Sequence, residues 1–487
     1  MSNTPEVRDL EGLLSTKLNG RKVIECTTRH LTAVGDNYGS TMLALDVKLS
    51  PADGEEEFLQ LVAKMCPTNQ MLLEIFQVNI TFTKEMAIYM VSVPEFLRLQ
   101  QDEGCPDDEK LDVFIECYGS RTSLSPTEAS VDADAVILLE NIKIKGYTVG
   151  DRAKGFDLEH TELILRNVAK FHAAPIALRH KDAQLFDQKV RAHLKKIDID
   201  EGLTSEAAAE MKKKQFQAFE NELKSIPEVL SLYDIIARQL EMCQERQRDL
   251  NFYEENTFNT ICHNDLWVNN VMIAYDAAGK PSRVKIFDFQ LIMYASMSLD
   301  VLFFLFTSVQ NDILLENFDN FLKFYFDEFC KSLKFFGCPL DDFTWEKFNE
   351  DINKQAPYEL YHITSMIKIL LIDKQKMAEK EEITDDTFYD AEMVGPNYYE
   401  KLKLIILEYK KRNWLIEFNE DINKQAPYEL YHITSMIKIL LIDKQKMAEK
   451  EEITDDTFYD AEMVGPNYYE KLKLIILEYK KRNWLIE

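Results

Sequence analysis

His263-Asn264-Asp265-Leu266-Trp267-Val268-Asn269-Asn270 decides how this chain is read. The stretch fits H-x-D-x-x-x-x-N. Further on, Val284-Lys285-Ile286-Phe287-Asp288-Phe289-Gln290 is a short β-type run that ends on an acid and fits D-F-x. Phosphoryl transfer needs such a pair. One carboxylate accepts the proton of an attacking hydroxyl; a second, with an amide oxygen, holds the metal that bridges nucleotide phosphates. Asp265 is the candidate base, and Asn270 and Asp288 are the candidate metal ligands. His263 would orient the loop by hydrogen bonding. Either fragment alone arises by chance, and Asp and Asn favour turns for local reasons. The turn Asp276-Ala277-Ala278-Gly279-Lys280-Pro281 argues against chance, because a hairpin there brings Asn270 and Asp288 to one end.

Upstream, three β-type runs (21–32, 41–49 and 58–65) form a meander. The turn between the first two is Gly35-Asp36-Asn37-Tyr38-Gly39-Ser40. Two glycines within five residues, in a chain with only 15, suggest backbone amides that approach something closely. A plain hairpin explains them equally well. The third run carries Lys64. Residues 80–97 read as a helix with Phe82, Glu85, Met86 and Tyr89 on one face. A glutamate on that mostly apolar face is odd unless it has a buried partner, and Lys64 is the obvious one. The alternative is a surface glutamate at the edge of the face. Residues 100–110 read as an acidic loop, and 111–118 and 135–139 as two more strands. The backbone around Leu139, Glu140 and Asn141 is where an adenine edge would bind, and the helical signal dominates beyond it. A helix over 156–177 takes Asp157 as its N-cap. His172 beside its apolar stripe reads as a satisfied core histidine. Helices follow over 204–224 and 228–250, and after Asp300.

The chain of 487 residues has a net charge of −27, which argues against nucleic acid or an anionic membrane as partner. Its eight cysteines have no C-x-x-C spacing, and no signal peptide is evident, so they read as reduced thiols in a cytoplasmic protein. Val301-Leu302-Phe303-Phe304-Leu305-Phe306 is too short to span a bilayer and reads as core helix. Residues 348–417 recur without a change as 418–487. A perfect copy is not a repeat architecture, which needs several diverged units. It reads as a recent duplication or a gene-model error, and the second copy as surplus. Three parts follow: a β-rich nucleotide-binding lobe over 1–140, a helical catalytic and acceptor-binding lobe over 141–417, and the duplicate over 418–487.

The order of these parts resembles the kinase-like fold, α+β and bilobal, with a small antiparallel β lobe and a large mainly helical lobe. The pieces Val62-Ala63-Lys64, Leu138-Leu139-Glu140-Asn141, Ala169-Lys170-Phe171-His172 and Asp288-Phe289-Gln290 are most similar to the insect ecdysteroid-kinase-like family. That family is related to choline and aminoglycoside kinases. The resemblance covers roughly residues 20–417. It implies ATP and Mg2+ as cofactors and phosphorylation of a hydroxyl on a small, largely apolar alcohol, an ecdysteroid or a xenobiotic. The latter would be a detoxification role. It implies Gly35, Asn37, Tyr38, Gly39 and Ser40 in the phosphate loop, with Lys64 braced by Glu85 against the phosphates. No obligate protein partner is evident. A choline or ethanolamine kinase, or a ligand-binding pseudokinase, remains the alternative.

Overall fold

In the computed structural model, five strands form one antiparallel sheet in the order β1-β2-β3-β5-β4. They are β1 Val23–His30, β2 Thr41–Ala52, β3 Glu55–Met65, β4 Cys117–Arg121 and β5 Val136–Glu140. The residues described are 6–31, 40–52, 55–67, 73, 77–125, 130–197, 205–248, 255–373, 376, 393–395 and 397–416. The meander read from the sequence is the first three strands. Side chains alternate across a strand. Leu43, Leu45 and Val47 of β2, Leu61 and Ala63 of β3, and Val136 and Leu138 of β5 therefore share one face, packed under Leu10 and Leu14 of α1 Leu10–Leu14. Each buried Leu or Val of this set is worth about 1.5–3 kcal/mol, so a one-residue slip in register is strongly disfavoured. Lys64 follows Ala63 and takes the opposite face, as do Ile137 and Leu139 of β5, which join the larger core.

Between β3 and β4 the chain runs through α2 Val78–Ala87, a π-helical turn Ile88–Ser92 and α3 Val93–Asp102. The helix thus reaches into the acidic stretch expected as loop. The strand expected over 111–118 is corrected. Only its end, from Cys117, lies in the sheet; Leu111, Val113, Phe114 and Ile115 are buried but leave it. They cross to the catalytic hairpin, where the Ile286 amide donates to Val113 O at 2.8 Å. A short apolar run looks the same in sequence whether it pairs in a sheet or crosses a core.

After β6 Thr148–Val149 come α4 Leu158–Lys181, α5 Ala183–Lys189, α6 Ser205–Lys224 and α7 Tyr233–Arg248. Asp157 caps α4 by accepting from the His160 amide at 3.1 Å, a contact worth about 1 kcal/mol. Four short strands follow: β7 Asn259–Cys262, β8 Val271–Tyr275, β9 Pro281–Ile286 and β10 Met293–Ser296. β8 and β9 are the expected hairpin, and β7 pairs with β10. Next are α8 Met297–Ser308, α9 Asn311–Phe335, α10 Trp345–Leu370 and α11 Asn397–Lys411. Every residue of α8 is buried, which explains its apolar run. No helix among the described residues is long and apolar enough to cross a membrane.

The first copy of the repeat builds the core of the helical part. Phe348, Ile352, Ala356, Leu360, Ile363 and Ile367 of α10 are buried, as are Leu402, Ile405, Ile406 and Tyr409 of α11. Asp351 of α10 accepts from Ser298 Oγ at 2.5 Å, tying α10 to the start of α8. The second copy, 418–487, lies outside the described residues. The architecture is α+β, with a small antiparallel β lobe and a large, mainly helical lobe.

Candidate active site

Alternation on β3 aims Lys64 at α2, and the helical spacing of Phe82, Glu85 and Tyr89 aims Glu85 back at the sheet. Lys64 Nζ lies 2.5 Å from Glu85 Oε2 and 2.7 Å from Asp288 Oδ1. Both Lys64 and Glu85 are buried, so the alternative of a surface glutamate is excluded. Burial opposes charge on the ammonium, but Asp288 and Glu85 outweigh it and raise the Lys64 pKa. Burial pushes Glu85 up to about 7 against the pull of Lys64, with Asp288 adding to the rise. Two carboxylates thus share one lysine across the two lobes.

β7 delivers the catalytic stretch in a wholly buried strand, and a 3-10 turn over Val268–Asn270 leads into β8. Asn270 Nδ2 donates to Asp265 Oδ2 at 2.8 Å and to Asp265 O at 2.9 Å, which commits its nitrogen and turns its carbonyl oxygen elsewhere. The Asp265 carboxyl is pushed up to about 8 by burial and by Asp288, against the opposing effects of His362, Asn270 and Trp267. Its Oδ1 is buried with no hydrogen-bond partner among the described residues. Burial lowers the His263 pKa, and its Nε2 lies 2.9 Å from Phe287 O, joining the loop to the strand end that carries Asp288. Asn264 and Asp288 both have left-handed backbones, with φ of 59° and 67°. Such conformations cost of order 1 kcal/mol or more, and Asn and Asp tolerate them best.

Behind the loop stands Asp300, in the first turn of α8. Its carboxylate accepts from the amides of His263 at 2.6 Å and Asn264 at 2.8 Å, and meets His172 Nε2 at 3.1 Å. Burial opposes the charge, but His172 and the loop amide hold the Asp300 pKa below its usual value. His172 Nδ1 pairs with Tyr325 Oη at 2.6 Å, so it is the satisfied core histidine the sequence suggested. His172, Cys262 and Asp300 are close enough to share a cation, but the histidine and carboxylate are committed and burial raises the thiol pKa far above its usual value. In front, the Phe289 ring meets those of Tyr89, Phe114, Phe171 and His263 at centroid distances of 5.6, 5.4, 5.9 and 5.0 Å.

The profile of the ecdysteroid kinase-like family matches residues 34–338. The chain belongs to that family. In general terms this family member is a small-molecule kinase. Its sequence matches no curated protein. Among solved structures it is similar to a Plasmodium vivax ethanolamine kinase, at 12% identity over 80% of this chain and 84% of the other, with a TM-score of 0.34. It is also similar to the amicoumacin kinase hAmiN in complex with AMP-PNP and Ca2+, at 12% identity over 80% of this chain and 90% of the other, with a TM-score of 0.35.

Other candidate residues of this family member divide. Gly35, Asn37, Tyr38 and Gly39 lie outside the described residues; Ser40 is buried at the start of β2. Leu139 and Glu140 end β5, and Asn141 follows it at the start of a 3-10 turn. The amides of Glu140 and Asn141 already donate to Glu116 O and Gln60 O at 2.9 and 3.0 Å, so a base edge here would use other backbone groups. A cavity of about 550 Å³ behind this segment is lined by Tyr89, Phe114, Glu140, Tyr147, Arg283 and Lys285, away from the catalytic carboxylates. The sequence reading missed Glu359 and His362. His362 Nδ1 lies 2.6 Å from Glu359 Oε1 on α10. An i, i+3 Glu–His pair is common on exposed helices, so nothing in the sequence marked this one.

Proposed function

We propose that this chain transfers the γ-phosphoryl group of ATP to a hydroxyl of a small, largely apolar alcohol, an ecdysteroid or a xenobiotic. The observation that carries the reading is the convergence of Lys64, Glu85 and Asp288 beside the Asp265–Asn270 pair. Asp265, positioned by Asn270 and by the His263 loop, takes the hydroxyl proton as the acceptor oxygen bonds to phosphorus and the bond to ADP breaks. Lys64 contacts the phosphates from β3, with Glu85 limiting its rotamers. Asn270 Oδ1 and the Asp288 carboxylate are hard oxygen donors of the kind Mg2+ takes, and the commitment of Asn270 Nδ2 to Asp265 leaves the oxygen for that role. When bound, Mg2+ would neutralise charge on the phosphates.

The test is turnover of ATP with ecdysone, estradiol, choline and ethanolamine as acceptors, with phosphorylated product read by mass. Product from a neutral alcohol is the expected result. Preference for choline or ethanolamine moves the assignment to those amino alcohols. Nucleotide binding without product from any acceptor leaves a pseudokinase.

A further inference from the structure

The Glu359–His362 pair lies on α10, beyond the stretch that defines the family match. Two contacts hold it. Glu359 is buried and fixes Nδ1 of the imidazole at 2.6 Å. The ring stacks on Phe303, with centroids 4.2 Å apart and planes at 17°. Phe303 belongs to α8, whose Asp300 grips the amides of His263 and Asn264. The imidazole is thus set against the same helix that sets the catalytic loop.

Its other nitrogen is left over. His362 Nε2 has no hydrogen-bond partner among the described residues, and the side chain keeps 22% of its surface exposed. Asp265 Oδ1 has none either. The two side chains lie within electrostatic reach, since each moves the other's pKa. Burial disfavours charge on His362, but Glu359, Asp265 and Asp300 outweigh it and raise its pKa. With Nδ1 held by Glu359 and the ring stacked on Phe303, Nε2 is the nitrogen left to meet a ligand.

We propose that His362 is an acceptor-positioning residue, its Nε2 hydrogen-bonding an oxygen of the bound alcohol while Asp265 takes the proton of the reacting hydroxyl. Glu359 fixes the ring. His362 neither gains nor loses a proton in the transfer; it orients the nucleophile. This rests on the phosphotransferase reading above and deepens it: the acceptor carries a neutral oxygen function at or beside the hydroxyl that reacts.

Two substitutions in the full chain separate this role from a structural one. His362→Asn keeps a donor where Nδ1 stands, and so keeps Glu359, but removes Nε2. His362→Gln does the reverse. With the best acceptor among ecdysone, estradiol, choline and ethanolamine, His362→Asn should lower kcat/KM about tenfold or more, as expected for one lost substrate hydrogen bond. The KM for ATP should stay unchanged. His362→Gln should keep activity within about threefold of the wild type on the same scale. The opposite order, with His362→Gln the more damaged, overturns the proposal and leaves the pair structural. Equal loss in both with nucleotide binding intact overturns it too. The twin position in the second copy, His432, serves as control: His432→Asn should change nothing, and a loss there instead of at His362 overturns the assignment to α10. Failure of the underlying reading looks different, because the wild type itself then transfers phosphate to none of the four acceptors.

Discussion

Two buried charge clusters lie back to back across the catalytic loop, and they are built on opposite principles. The front one, Lys64 with Glu85 and Asp288, joins a strand, a helix and a loop from both lobes, and next to it Asp265 keeps an oxygen unpartnered. Glu85 and the neighbouring Asp265 are pushed upward, to about 7 and about 8. The rear one, Asp300 with His172 and two loop amides, belongs wholly to the helical lobe, and its acid is held down. Among the described residues, the front cluster leaves hydrogen-bonding capacity unmet, at Glu85 Oε1 and Asp265 Oδ1, whereas both oxygens of Asp300 are filled. The difference separates the working face of the site from its scaffold.

The sharpest way to break this division is Asp265→Asn. Loss of a general base costs about 10²–10⁴-fold in turnover, while binding of ATP with Mg2+ should persist. Turnover near wild type with a good acceptor would remove Asp265 from the working side. Asp288→Ala should instead abolish the dependence of nucleotide binding on Mg2+, read by titration calorimetry; a binding curve that does not change contradicts metal ligation there.

Asp300→Asn probes the scaffold. An amide cannot accept two N–H bonds and a histidine contact as the carboxylate does, so stability should fall by about 3 kcal/mol in denaturant unfolding. The folded pKa is depressed. The contribution is therefore full above the ordinary value of 3.8 and is lost as pH falls below it. An unfolding midpoint that stays put on substitution would make Asp300 dispensable to the loop.

Lys401 of α11 sharpens the comparison, because it is a buried cation with a carbonyl, Val309 O at 2.8 Å, in place of a carboxylate. Burial lowers its pKa to about 7. Between there and its ordinary value the unfolded chain binds more protons than the folded one, so stability rises with pH. The gain from pH 7 to pH 9 should be about 2 kcal/mol, and Lys401→Met should flatten it. A slope that survives the substitution assigns the effect elsewhere. The smallest expected effect is at the repeat. A chain ending at Glu417 should fold and turn over like the full one, because α10 and α11 of the first copy already fill the core. Failure of that truncation to fold would make the second copy structural.

Much of this was legible in sequence because it is local. The loop His263 to Asn270, the hairpin turn before Asp288, the alternation that aims Lys64 and the helical spacing that aims Glu85 all depend on neighbours within a few residues. What only the tertiary structure decided depends on partners far apart in the chain. Glu85 and Asp288 meet on one lysine from separations of 21 and 224 residues. Asp300 stood in sequence as the residue before an apolar helix, and its grip on the loop amides came from packing. The run 111–116 has strand composition and still leaves the sheet, because apolar residues are buried equally well by a core crossing. Glu359 and His362 have the spacing of an ordinary surface pair, and only the packing of α10 against α8 stacks His362 on Phe303. Periodicity encodes which way a side chain points; what it meets there is decided by the packing of distant elements.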